Sequence, residues 1–124
     1  MRAIFKFGAT AILAAGMAGT ALADASHFGG GKYDVRGTNL DGSKYKGTAE
    51  ITVTSTTTCR IVWHLGGDTS DGICMRNGIA LAAAYQLKDK IGLVIYEIRD
   101  DDTLDGIWTI ADEDGSGTEL LIPQ

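Results

Sequence analysis

The chain has 124 residues, 16 acidic and 11 basic side chains, and a net charge of −5. One domain fits that length. The acid excess argues against a nucleic-acid or anionic-membrane surface, because both require a basic footprint.

Residues 1–23 read as a targeting segment. Arg2 and Lys6 precede an apolar run, Phe7 to Ala18, and Ala21-Leu22-Ala23 is a small-x-small cleavage pattern. The run is too short for a membrane span, so none is expected after cleavage. Residues 24–124 then keep nine basic and all 16 acidic side chains, a net charge of −7. The expected location is the periplasm or the medium. Residues 24–32, with three consecutive glycines and His27, read as a flexible lead-in. Residues 33–124 form the domain.

From Tyr33 onward apolar residues recur with a period of two, the mark of strands with alternating faces. The first strand is expected from Tyr33 to Asn39, and Leu40-Asp41-Gly42-Ser43 is a turn. Tyr45, Gly47, Ala49, Ile51 and Val53 share a parity and mark the second strand, and Thr58 to Leu65 the third. Gly66-Gly67-Asp68-Thr69 reverses the chain, and Gly72 to Arg76 is a short fourth strand ending at Asn77-Gly78. Ile79 to Leu87 is alanine-rich and compatible with a helix, but its start after Asn-Gly and its short length favour a strand. Gly92 to Ile98, Leu104 to Ile110 and Thr118 to Ile122 complete the set. Eight strands joined by short turns predict an all-β, up-and-down antiparallel barrel, with a two-sheet sandwich as the alternative. The glycines at 37, 47, 92 and 106 suit bends or places where an aromatic ring lies flat. An echo links Tyr33-Asp-Val-Arg36 and Leu40-Asp41-Gly42 with Tyr96-Glu-Ile-Arg99 and Leu104-Asp105-Gly106. It fits a duplicated hairpin or ordinary strand-turn chemistry.

Cys59 and Cys74 are the only cysteines. A hairpin centred between Gly66 and Gly67 sets them opposite each other, at a separation a disulfide allows. Two separately buried thiols are the alternative. Asp112-Glu-Asp114-Gly-Ser116-Gly117 resembles the opening of a calcium loop, but Pro123 stands where the bidentate glutamate belongs, so no metal site is expected. No cofactor motif is present. Tyr33, Tyr45, Trp63, Tyr85, Tyr96 and Trp108 all take the apolar parity. They read first as core, and alternatively as the lining of a barrel mouth. His64 takes the outward parity, without a nucleophile pattern near it.

The order YDVRGTNLDGSKYKGTAEITVT, CRIVW, GICMRNG, LAAAY, LDGIWT and GTELL, from Tyr33 to Leu121, resembles a family of small exported alphaproteobacterial proteins. Some of them are labelled fibronectin-binding. The resemblance implies an exported β domain and supplies no catalytic motif.

These readings predict a non-enzymatic exported binding protein. Its partner would be a protein or glycan met through acidic loops carrying Asp68, Asp71, Asp100, Asp101, Asp102, Asp112 and Asp114. Inhibition of a basic hydrolase is one version. A carrier of a small apolar ligand inside the barrel is the alternative, and a hydrolase using His64 is a third. Neither the partner nor the oligomeric state follows from the sequence.

Overall fold

The computed structural model describes residues 28–124. The expected targeting segment and His27 lie outside the described residues. The described chain is all β, in eight strands: β1 (Gly30–Thr38), β2 (Lys44–Val53), β3 (Thr58–Leu65), β4 (Asp68–Asn77), β5 (Ala80–Leu87), β6 (Lys90–Ile98), β7 (Leu104–Ile110) and β8 (Gly117–Pro123). Each strand pairs antiparallel with the next, and β8 returns to β1 through Tyr33↔Pro123 to Thr38↔Thr118. The sheet is therefore a closed up-and-down barrel, as the alternation predicts, and closure leaves no unpaired edge.

The alanine-rich segment is strand β5. Its register against β6 puts Leu81, Ala83 and Tyr85 inside and Ala82 and Ala84 outside. Pairing on both sides outweighs the helix propensity of alanine. Two strands begin three or more residues earlier than expected. β4 begins at Asp68, not Gly72, because Gly66, at φ 65°, reverses the chain within two residues and Leu65 pairs with Asp68. The extension makes Ser70 a buried wall residue rather than a turn residue. β1 begins at Gly30, where residues 30–32 pair with Thr52, Ile51 and Glu50.

The Cys59–Cys74 disulfide is formed, with Cα atoms 4.9 Å apart. The two-residue turn preserves the register that opposes these positions. The sequence echo does not extend to the fold. Leu40-Asp41-Gly42 lies at a turn, whereas Leu104-Asp105-Gly106 opens β7.

The barrel has two unlike ends. At one end the turns are 54–57, 78–79 and 99–103. Below the waist the interior is filled by Val35, Ile51, Ile61, Leu81, Leu104, Leu121 and the disulfide, all buried. Phe28 packs against this core just ahead of β1. At the other end the turns are 39–43, 66–67, 88–89 and 111–116, and there the interior is hollow. The outer wall is also divided. Across β4–β7 it presents Ile73, Met75, Leu93, Ile95 and Ile107, each more than half exposed. Across β1–β3 it presents Lys32, Asp34, Arg36, Glu50 and Arg60.

Candidate functional site

The open end is built from aromatic residues that face small ones. In the strand register Tyr45 lies opposite Gly37, Tyr85 opposite Gly92, Tyr96 opposite Gly106 and Trp108 opposite Gly117. Trp63 lies opposite Ser70. A Cβ at Gly92 would overlap the Tyr85 ring, and one at Gly117 the Trp108 indole. Each ring therefore leans across the neighbouring strand instead of standing upright in the lumen. This is the flat packing expected of glycines 37, 92 and 106. Gly47 instead faces Leu65 and the His64 backbone.

The rings converge on Glu119. Its side chain points inward from β8 and is 5% exposed. The Tyr45 hydroxyl donates to Glu119 Oε1 at 2.6 Å, and Trp63 Nε1 donates to Oε2 at 2.8 Å. The Tyr96 hydroxyl also donates to Oε2. Three neutral donors from β2, β3 and β6 thus surround a carboxylate on β8. Among the described residues no cationic side chain lies within ion-pair distance of it.

The phenols are held as donors. Burial first, and the Glu119 charge second, push Tyr45, Tyr85 and Tyr96 well above the ordinary tyrosine range. The Tyr85 hydroxyl donates to the Thr109 carbonyl at 3.1 Å. Trp63 meets Tyr85 edge-on, with ring centroids 5.2 Å apart, and Tyr45 meets Trp108 likewise at 6.2 Å. Trp108 Nε1 is buried without a hydrogen-bond partner among the described residues.

Between these rings and the turns lies a cavity of about 520 Å³. Its walls are Tyr45, Trp63, Leu65, Tyr85, Leu87, Val94 and Trp108, with Ser70 and Glu119 as inner polar groups. Asn39, Lys44, Lys46, Gly66 and Asp68 form the mouth.

The six aromatic residues singled out by parity all come from inward positions, but they divide in role. Tyr33 belongs to the packed end, while Tyr45, Trp63, Tyr85 and Trp108 line the cavity and Tyr96 braces Glu119 beside it. Reading all six as core holds only in part, because rings that lie over glycines leave the lumen between them unfilled. The acidic residues are not brought together. Asp68, Asp112 and Asp114 stand at the open end, Asp71 on the outer wall of β4, and Asp100, Asp101 and Asp102 at the packed end. Asp112 and Gly115, at φ 70° and 97°, shape a turn. His64 lies outside the barrel, its Nδ1 3.2 Å from Thr69 Oγ1. Sequence reasoning missed Glu119. The only signal was its parity with Gly117 and Leu121, and Leu120 and Ile122 make the opposite parity look equally apolar.

No family model and no curated protein matches the sequence. Solved structures do. The fold is similar to a de novo designed fluorescence-activating β-barrel, with TM-score 0.62 and 18% identity over 81% of this chain and 96% of that one. The redesigned barrel mFAP1, solved bound to DFHBI, gives TM-score 0.66 and 19% identity over 80% and 98%. A point mutant of the fluorescent protein UnaG gives TM-score 0.51 and 12% identity over 76% and 94%. At these identities the likeness concerns the barrel fold. No helix among the described residues is long and apolar enough to cross a membrane.

Proposed function

We propose that the protein binds a small, largely apolar molecule inside the open end of its barrel and acts as a carrier or receptor for it outside the cytosol. The cavity of about 520 Å³, walled by aromatic and aliphatic side chains, carries this reading. Small-molecule sites are typically concave, largely apolar and furnished with a few placed polar groups. The redesigned barrel mFAP1, of like fold, was solved bound to DFHBI, which supports small-molecule binding here. The expected leader and the Cys59–Cys74 disulfide support an exported, oxidising location. The acidic residues divide between the two ends and the outer wall, so they support a loop-mediated partner less than the cavity supports a ligand.

The test is titration with N-phenylnaphthylamine, a neutral dye that brightens in apolar surroundings. Saturable binding is expected. Leu65→Trp, which enlarges a cavity-wall residue near the mouth, should abolish binding while leaving the β-sheet circular dichroism intact. Dye binding equal in the variant and the parent would place the dye elsewhere and end this reading.

A further inference from the structure

We propose that the ligand is an organic cation, a protonated amine or quaternary ammonium on an apolar or aromatic body, and that Glu119 is its anchor. This rests on the ligand-binding reading above.

Glu119 is the one charged side chain buried among the described residues. An ionised carboxylate taken out of water is costly unless it is paired with a cation or fully hydrogen-bonded. Here it has no cationic partner among the described residues. Its hydrogen bonds are also incomplete. Each carboxylate oxygen can accept about two donors. Oε2 accepts Trp63 and Tyr96, whereas Oε1 accepts only Tyr45. One acceptor position on Oε1 is left, and Glu119 forms part of the cavity wall.

The surroundings match the same chemistry. Tyr45, Trp63, Tyr85 and Trp108 are the electron-rich walls of this cavity. Aromatic faces attract ammonium groups most strongly where water is excluded. A cation would thus meet both a formal negative charge and ring quadrupoles. An anionic ligand would meet that charge at close range with little water to screen it. Lys44 and Lys46 stand at the mouth together with Asp68, so the entrance carries both signs and the interior only the negative one.

A structural role alone does not account for the arrangement. A carboxylate kept only to satisfy Tyr45, Trp63 and Tyr96 would do so as well beneath a filled core. This one sits at the wall of an apolar cavity, where an unpaired charge costs stability and a bound cation would recover it.

Three dyes separate the outcomes: thioflavin T, a cation; N-phenylnaphthylamine, neutral; and anilinonaphthalene sulfonate, an anion. The parent protein should bind thioflavin T about tenfold or more tightly than the sulfonate. Glu119→Gln keeps the shape and removes the charge. It should weaken thioflavin T at least about tenfold and weaken N-phenylnaphthylamine by a smaller factor. Thioflavin T affinity in E119Q that is unchanged or falls no more than that of N-phenylnaphthylamine, or a parent protein that prefers the sulfonate, overturns the proposal. Should E119Q fail to fold, the cation-to-anion ratio in the parent protein decides alone. Neutral dye binding without cation preference leaves the cavity reading standing and removes this one. Binding of none of the three removes both.

Discussion

The two ends of the barrel are built from the same strands by the same alternation, yet one is solid and the other hollow. At the packed end most inward residues are branched aliphatics, Val35, Ile51, Ile61, Leu81, Leu104 and Leu121, buried together in one core cluster. At the open end three of the inward rings, Tyr45, Tyr85 and Trp108, are paired with glycines. A ring lying over a glycine covers the wall and leaves the axis free. Side-chain volume alone would suggest the opposite, since aromatics are larger. The direction in which a side chain lies therefore decides whether a small barrel has room for a guest.

This contrast can be tested from both sides. The largest effect is expected at the packed end. Leu121→Ala, at a fully buried position, should lower unfolding free energy by about 2–5 kcal/mol in urea denaturation. Folded variant should retain the dye affinity of the parent, because Leu121 does not line the cavity. A loss of affinity with stability unchanged would show that the two ends are not separable. Next, replacing both Cys59 and Cys74 by serine should cost about 3 kcal/mol, the value for a loop of this length, and should likewise spare binding. An unchanged urea midpoint would show that the cross-link contributes nothing to the packed end.

The smallest and most diagnostic effect concerns pH. All four tyrosines have raised pKa values in the folded state. For Tyr33 burial is the main cause and Asp102 adds to it, while at the open end Glu119 is the second cause. A group whose folded pKa exceeds its unfolded value contributes stability in full below the unfolded pKa and loses it as pH rises toward the folded one. Stability should therefore fall above about pH 10, the ordinary tyrosine value. Phenolate absorbance should appear together with loss of the β-sheet signal rather than before it. Gradual ionisation complete near pH 10 in a still-folded protein would contradict the buried, Glu119-facing placement of these rings.

Much of the fold was legible because alternation is local. A run such as Tyr45 to Val53 shows its two faces within a few residues, and turns such as Asn77-Gly78 show where a strand ends. The disulfide was legible for the same reason, since a tight turn fixes register by counting. Less was legible at strands where both parities are apolar. β6 carries Ile91, Leu93 and Ile95 outward and Val94, Tyr96 and Ile98 inward, and β8 offers Leu120 and Ile122 against Leu121. In β8 this ambiguity concealed Glu119. The acidic turns were legible as turns, but nothing local showed that 99–103 and 111–116 would stand at opposite ends.

The sequence alone determined an all-β chain of eight strands, the inward side of its aromatic residues and the register that sets its two cysteines opposite each other. These depend on neighbours along one strand or across one turn. Closure of the sheet decided the rest. It brought Tyr45, Trp63 and Tyr96 from three strands onto a carboxylate from a fourth, and it fixed whether the space between them was filled. That outcome depends on how far around the barrel each strand lies and on which way each ring leans, and both exist only once the first and last strands have met.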